Sequence, residues 1–362
     1  MKKQSEIKSW LSYYWRSLFY TNIPMRRTIE KRPDKSSIID EDTIEDDINV
    51  DEIRTKKEKI LLVLGNGFDL DLGLKTSYYD FANTSDFWPK CSDSALGRFM
   101  NKQKEEQGRN WGGVETALEE YATQPIEVGM FEHDIKAFKV LVESLRLYLH
   151  RILRGKPRQY PPYFNSKITF DTESLAYYLC DYLLRDRKVN EIITFNYTDI
   201  NEYLKQIAEE EGLPFEEIPR TFLHREDDGL MALGISSDAK LWDRRYDFLK
   251  KSHQIIQKPI LRKLFDADTI IFYGLSFSRS DHSYLKQFFN VISDFNSGYA
   301  CKKIFIVSRD NNSYQNCVRG IEDMLGGDIS QLYQLNNVIQ VNTDRQKESK
   351  GASYLLSCIQ VL

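Results

Sequence analysis

The sequence predicts an α/β protein built on a parallel, Rossmann-like sheet with helices on its faces. Short apolar runs that contain β-branched residues recur along the chain, and amphipathic helical patterns separate several of them. The first run ends in a glycine turn, as a strand does when it passes into a helix. The predicted strands, in chain order, are KILLVL (59–64), NEIITFNY (190–197), RTFLH (220–224), LMALGI (230–235), DTIIFYGLS (268–276), KKIFIVS (302–308) and NVIQV (337–341).

A helical insertion is predicted after the first strand and helix of this sheet. Between residues 84 and 189, segments such as VETALEEYA and DIKAFKVLVESLRLYLHRILRG repeat apolar residues at helical spacing. The sheet strands resume only at about residue 190. We therefore expect one α/β domain over residues 59–362, with the insertion at about 84–189.

The first 58 residues differ in composition from the rest of the chain. Residues 1–36 hold nine Lys and Arg against three Asp and Glu, around the aromatic segment WLSYYWRSLFY, and residues 40–52 hold eight acids and no bases. This pattern predicts a basic, aromatic arm on a solvated acidic linker. The arm can dock a partner or a second copy of the chain, or fold back onto its own domain. Membrane contact of residues 1–36 is a less favoured reading.

Composition excludes several classes of protein. The formal net charge of −4 provides no global basic field, so no specific nucleic-acid binding is predicted. Five cysteines without a CxxC pair predict neither a disulfide framework nor a zinc site. No apolar run approaches the length of about 20 residues that a membrane-spanning helix needs. We expect a cytoplasmic protein with reduced thiols and no metal.

The glycine turn GNGFD (65–69) resembles part of a phosphate-binding loop. Two glycines let the backbone approach a ligand, and free amides at a helix start favour anions. However, Leu70 stands where the third glycine of an ordinary dinucleotide fingerprint would be. The turn is then either a ligand site or simply a tight strand-to-helix connection. Asp69 either faces a ligand or caps the free amides.

Three more polar groups follow predicted strands, at the edge where open α/β sheets place their ligands. Asn196 leaves the second run with an amide that can donate and accept, unless it caps a turn or helix. His224 leaves the third run and can act as a general base near neutral pH, unless it is structural. The segment FYGLSFSRSDHSYL (272–285) repeats the glycine turn with hydroxyls and an acid.

These residues resemble the AbiH family, bacterial proteins named for abortive infection. The matching segments lie in the order of the family over most of residues 60–290: LVLGNGFDLDLGLKTSYYDF, NWGGVETALEEY, TFNYTD, FLHRED, the stretch 233–254 and FYGLSFSRSDHSYL. The run of NGFD, GL, TSY and DF is the most specific part. The resemblance implies a role in defence against phage.

A more distant resemblance is to the sirtuins and sirtuin-like NAD hydrolases. It implies that NAD is the ligand or substrate, with Asn196 and His224 as catalytic residues. Arg225 stands where sirtuins have a glycine, and Leu275 stands where AbiH relatives tend to have histidine. It also implies that Gly65, Asn66 and Gly67 hold the diphosphate and that Gly274 and Ser276 contact the adenosine side. From the turns themselves, Phe68, Asp69, Thr76, Ser77 and Asp281 are further candidate nucleotide-binding residues.

Two functions therefore remain in view. The first is an antiphage effector that binds NAD or a related nucleotide and hydrolyses its N-glycosidic bond on infection. In that function Trp111 and Glu115 could close the pocket; otherwise Trp111 is a core residue and Glu115 a cap or surface charge. The second is a non-catalytic nucleotide sensor or assembly subunit of a multi-component defence system. A nuclease is less favoured, because the acids present show no spaced metal-ligand motif.

Overall fold

The computed structural model describes residues 58–86, 88–89, 93–107, 113–126, 129–154, 167–186, 189–226, 229–344 and 355–357. Within them lies a six-stranded sheet in which every pair of neighbouring strands is parallel. The strands are β1 (Ile60–Leu64), β2 (Val189–Thr194), β3 (Arg220–Phe222), β4 (Thr269–Tyr273), β5 (Lys303–Ser308) and β6 (Asn337–Asn342). The prediction of a parallel α/β sheet is confirmed.

The strand order is β3-β2-β1-β4-β5-β6, so the direction of winding reverses between β1 and β4. Dinucleotide-binding sheets have this order, and their ligands lie at the reversal point. All five residues of β1 are buried. Leu62 and Leu64 pack into one core, and Leu61 and Val63 pack into another. Burial on both faces explains why this strand is a continuous apolar run rather than an alternating one.

Helices cover both faces of the sheet, as predicted. They are α1 (Asn66–Asp71), α2 (Tyr78–Ala82), α3 (Ala95–Gln107), α4 (Val114–Thr123), α5 (Phe131–Arg154), α6 (Leu175–Asp186), α7 (Ile200–Glu211), α8 (Leu261–Asp266), α9 (His282–Ile292), α10 (Asn311–Leu325) and α11 (Ser330–Leu335). α6 and α7 pack with one face of β1, and α8, α9 and α10 pack with the other.

A third core lies apart from the two sheet faces. Helices α2 to α5 contribute to it, and so do residues between Met231 and Leu249. The prediction that 230–235 is a strand is wrong, because Met231 and Ile235 form only isolated bridges. The run is apolar since Met231, Leu233 and Ile235 are buried in this third core, and burial alone does not distinguish a strand from an irregular segment.

The predicted division of the chain is only partly visible. The arm and linker lie outside the described residues, so the division at residue 58 stays a prediction. Helices α3 to α6 lie within the predicted insertion, and α6 packs on the sheet. Among the described helices, none is long and apolar enough to cross a membrane.

The turns that follow β1 and β4 pack backbone against backbone. The amide of Gly65 donates to the carbonyl of Tyr273 at 2.9 Å, and the amide of Gly67 donates to that of Gly274 at 2.9 Å. A Cβ on Gly65 or Gly67 would lie 2.6 Å from backbone atoms of the β4 turn, and one on Gly274 would lie 2.3 Å from the amide nitrogen of Phe68. The contact between the two turns therefore requires glycine at all three positions.

We expect Gly274→Ala to destabilise the protein far more than Gly212→Ala. The two glycines have nearly equal φ angles of 65° and 66°, but a Cβ at Gly212 would meet nothing within 4 Å. Backbone strain alone should lower the free energy of unfolding by about 1–2 kcal/mol in Gly212→Ala. The clash should add about 1–3 kcal/mol in Gly274→Ala. Urea unfolding followed by circular dichroism measures both, and equal losses would contradict the packing argument.

Candidate functional site

A cavity of about 390 Å³ opens at the carboxyl edge of the sheet. The turns after β1, β2 and β4 line one side of it, and α4 lines another through Glu115 and Glu119. Leu145 and Leu149 of α5 add an apolar surface. The cavity thus lies at the reversal of strand order, where parallel α/β sheets bind ligands, and the helices before β2 enclose it.

Three amides of the glycine turn are already used within the protein. Gly65 and Gly67 donate to the β4 turn, and the amide of Phe68 donates to the carbonyl of Gly65 at 2.9 Å. α1 begins at this turn without a side-chain cap. The turn therefore provides a wall to the cavity, whereas its bonded amides are not free to receive a phosphate.

Asn196 connects the end of β2 to the glycine turn. Its side-chain NH₂ donates to the carbonyl of Gly65 at 3.1 Å, and its backbone amide donates to the Thr194 hydroxyl at 3.0 Å. The side-chain oxygen, Oδ1, is buried and has no hydrogen-bond partner among the described residues. Asn196 does not cap α7, because Asp199 does so by accepting from the amide of Asn201. A buried acceptor without a partner is costly, so a ligand or a water that reached it would satisfy it.

Asp69 lies beneath the same wall. Its Oδ2 accepts from the hydroxyl of Thr198 at 2.6 Å, while Oδ1 is buried without a partner among the described residues. The carboxylate does not cap the amides of α1, so that interpretation is wrong. Burial raises the pKa of Asp69 to about 7, against the opposing effects of Thr198, Asn196 and Tyr203. At neutral pH the group therefore exists in both protonation states.

His224 is held in a buried polar cluster at the end of β3. The ammonium of Lys251 lies 3.3 Å from its Nε2 and 3.5 Å from its Nδ1. The same ammonium donates to Glu115 at 2.9 Å, and Glu115 accepts from the hydroxyl of Tyr78 at 2.9 Å. Burial, followed by the charge of Lys251, lowers the pKa of His224 well below its usual value. The imidazole is therefore neutral at physiological pH.

The turn after β4 is held in a strained conformation. Phe277 has a φ of 53° and is 1% exposed, and a Cβ on Gly320 of α10 would lie 2.4 Å from its carbonyl oxygen. Asp281 accepts from the amide of Ser278 at 3.1 Å and from its hydroxyl at 3.0 Å, and the Ser278 hydroxyl oxygen accepts from the amide of Asp281, so the two residues form a capping box. Burial raises the pKa of Asp281 to about 6. Packing against α10 thus fixes a polar turn at the mouth of the cavity.

Comparison with known protein families identifies the chain. A family model described as Bacteriophage abortive infection AbiH matches residues 61–298. The protein belongs to the AbiH family. Searches of curated proteins and of solved structures found no match. Membership implies a role in the abortive infection response to bacteriophage, whereas the resemblance to sirtuins and the binding of NAD stay predictions.

The fold of this AbiH protein brings most of the predicted site residues to one cavity. Phe68 and Ser77 do not line it: Phe68 is fully buried against Tyr273, and Ser77 caps α2 by accepting from the amide of Asp80. Trp111 lies outside the described residues. The residues that do line it are Gly65, Asn66, Gly67, Asp69, Thr76, Asn196, His224, Gly274, Ser276 and Asp281.

Two of these lining residues bind each other. The hydroxyl of Thr76 donates to Oδ1 of Asn66 at 2.7 Å, which ties the second turn to the first. Leu275, the departure from relatives noted above, also lines the cavity. Arg225 does not, because its guanidinium lies over the ring of Phe222 and donates to the carbonyl of Tyr197.

Sequence reasoning missed the polar partners of His224. No pattern in the sequence singles out Lys251, Tyr78 or Tyr197, and Glu115 is expected either to close the pocket or to be a cap or surface charge. A signal existed, because Glu115 lies in NWGGVETALEEY and Lys251 lies in the stretch 233–254, both of which carry the family resemblance. What the sequence lacks is the pairing, since Glu115 and Lys251 are 136 positions apart.

We expect Asp69→Asn to change how stability depends on pH. Because the pKa of Asp69 rises from 3.8 unfolded to about 7 folded, the native state holds a proton that the unfolded state releases. This contribution to stability is present below about pH 4 and is lost as the pH rises to about 7. The thermal midpoint of Asp69→Asn minus that of the wild type should therefore increase from pH 5 to pH 8. A difference that stays constant with pH would contradict the assigned pKa.

We expect Lys251→Met to raise the pKa of His224, because the charge of Lys251 favours the neutral ring. Burial remains in the variant, so the pKa should stay below that of an ordinary histidine. Carbon-detected NMR of the imidazole rings at successive pH values measures the shift, with the exposed His253 as the reference in the same spectra. An unchanged His224 titration would show that Lys251 does not act on the ring.

Proposed function

We propose that this AbiH protein limits phage infection by binding NAD or a related nucleotide in the cavity and hydrolysing the bond between nicotinamide and ribose. The observation that carries the proposal is the joint presence of Asn196 and His224 in one cavity at the reversal of strand order. Asn196 has a buried side-chain oxygen without a hydrogen-bond partner among the described residues, and His224 has a neutral imidazole. The proposal places the reaction in the bacterial cytoplasm.

The proposed reaction forms no covalent bond between the protein and the substrate. When the N-glycosidic bond breaks, its electron pair leaves with nicotinamide, and the ribose carbon becomes positively charged. Water then adds to that carbon and loses a proton, which gives nicotinamide and ADP-ribose. The enzyme must orient the ribose, exclude bulk water and place an electron-rich wall beside the forming cation.

In this proposal Asn196 orients and His224 accepts the proton. Oδ1 of Asn196 is an acceptor for a ribose hydroxyl or for the attacking water, and its NH₂ is fixed by Gly65. The ring of His224 is neutral, and the ammonium of Lys251 lies within hydrogen-bond distance of both ring nitrogens, so the ring accepts a proton from the water only when that contact opens. Phe195 and Tyr284 hold the ring through edge contacts at 5.5 and 6.1 Å.

One observation favours a second function, in which the protein binds a nucleotide without cleaving it. The amides of Gly65, Gly67 and Phe68 donate to carbonyls, so the turn does not offer them to a diphosphate. A sensor or assembly subunit needs only a ligand-dependent change of state, and the basic arm over residues 1–36 would then dock a partner or a second copy. The two functions share the cavity and differ in whether NAD is consumed.

We expect Asn196→Ala and His224→Gln each to slow NAD loss strongly in infected cells. Bacteria that express the full chain are infected with phage, and NAD and nicotinamide are followed by chromatography. Wild-type cells should lose NAD, and each variant should slow the loss by about 100-fold, since a positioned base contributes about 10²–10⁴. His253→Gln changes an exposed histidine outside the cavity and should behave as the wild type. Protection by the wild type with unchanged NAD would overturn hydrolysis and support the non-catalytic function.

A further inference from the structure

We propose that the cavity selects a positively charged planar ring joined to a hydroxyl-bearing group, and that any phosphate of the ligand stays at the mouth. This inference rests on the proposed function and makes it specific. The ligand part that enters would be the pyridinium riboside half of an oxidised nicotinamide nucleotide. The reduced, neutral ring would bind less well.

The charges around the cavity disfavour a buried phosphate. Four acidic side chains lie in its described lining: Glu115, Glu119, Asp281 and Asp69, of which burial leaves Asp69 partly protonated near neutral pH. Its described lining contains one guanidinium, that of Arg279, which is 66% exposed and lies 3.6 Å from Glu119. In the glycine turn, the amides of Gly65, Gly67 and Phe68 are bonded to carbonyls and are not free to donate to a phosphate. A dianionic diphosphate would therefore meet negative charge in the interior and a shared cation at the mouth.

The wall beside His224 has a net negative charge. The carboxylate of Glu115 and the ammonium of Lys251 form a pair at 2.9 Å, and these side chains are 20% and 5% exposed. Asp281 is 4% exposed and interacts electrostatically with both partners. Two carboxylates thus face one ammonium, so a cation in the cavity would complete the balance of charge.

Aromatic rings line the same part of the cavity. Phe195, Tyr78 and Tyr197 are lining residues, and the two tyrosine hydroxyls lie 3.4 Å apart. Tyr78 donates to Glu115, and Tyr197 donates to the carbonyl of Ala232 at 3.1 Å. These hydrogen bonds fix the rings in place. The faces of such rings attract a planar cation, and the attraction is stronger in a desolvated site.

An unused acceptor points to the second part of the ligand. Oδ1 of Asn196 has no partner in the described part of the chain, and the residue is 5% exposed. An acceptor of this kind suits a hydroxyl donor, which a ribose provides and a phosphate does not. The cavity therefore combines an acidic aromatic wall for a cationic ring with an acceptor for sugar hydroxyls.

Equilibrium calorimetry on the purified full chain tests this inference. The probes are the carbocyclic analogue of nicotinamide riboside, which is cationic and cannot be hydrolysed at the glycosidic position, its neutral 1,4-dihydro form, the carbocyclic analogue of NAD, and inorganic pyrophosphate. We expect the cationic riboside to bind about tenfold more tightly than the neutral one, in keeping with one charge contact in a partly buried site. Pyrophosphate should not compete with the cationic riboside.

Asp281→Asn tests the origin of the preference. Asparagine keeps the shape and can still accept from Ser278, so the capping box survives in part while the charge is lost. We expect the preference for the cation to fall below about threefold, with unchanged affinity for the neutral riboside. Asp310→Asn is the matched control, because Asp310 also caps a helix and does not line the cavity. It should keep the full preference.

Different outcomes would overturn the cation site and the proposed function. Equal binding of the charged and neutral ribosides, an undiminished preference in Asp281→Asn, or competition by pyrophosphate would overturn the cation site while the NAD analogue still binds. If neither the NAD analogue nor either riboside binds, the proposed function falls and the cation site falls with it. Circular dichroism of both variants confirms that each is folded before its affinities are compared.

Discussion

The contact between the turns after β1 and β4 is the constraint on which the candidate site depends. Two amides cross from the first turn to carbonyls of the second, and three glycines allow the backbones to meet without side chains between them. Because these turns lie at the reversal of strand order, the contact determines the position of this wall of the cavity. It also fixes Gly65, whose carbonyl holds the side chain of Asn196. A glycine pattern that suggests close approach to a phosphate is here explained by close approach of another turn.

Several polar groups are buried around this wall of the cavity. Asp69 is fully buried with one oxygen bonded to Thr198, and Lys251 is buried against Glu115 and His224. Burying such groups opposes folding unless each finds partners, and a protein seldom retains them without a use. Burial acts on two of these groups in opposite directions: it raises the pKa of Asp69 and lowers that of His224, so it favours the uncharged form of each. The cavity thereby gains a neutral base without gaining positive charge.

Membership of the AbiH family gives the biological setting, and the cavity gives the chemistry to be examined within it. The helices before β2 do more than extend the chain. Through Glu115 and Glu119 they bring acids to the sheet edge, and through Tyr78 they hold one of those acids in place. The site is consequently shared between the sheet and the helical layer, so a movement of either would alter the surroundings of His224.

The sequence by itself determined the class of fold and the strand ends that carry the site. Apolar runs buried on both faces predict parallel strands whatever their neighbours, so β1, β2, β4 and β5 were predicted directly. The polar residues after those runs, Asn196 and His224 among them, must meet at one edge because parallel strands end on the same side. The exception was the run 230–235, which is apolar because it enters the third core and not because it pairs as a strand.

Only the tertiary structure decided which groups are free to act. The same glycines and the same aspartate suit a phosphate site, a cap or a packed turn, and the choice depends on what lies opposite them in space. That is the β4 turn for Gly65 and Gly67, and Thr198 for Asp69. The pairing of Lys251 with Glu115 and His224 likewise joins residues far apart in the chain, where no local pattern records distance or burial. Hydrogen-bond partners and desolvation are properties of the folded state, and they decided the protonation of Asp69 and His224 and the partners of the glycine-turn amides.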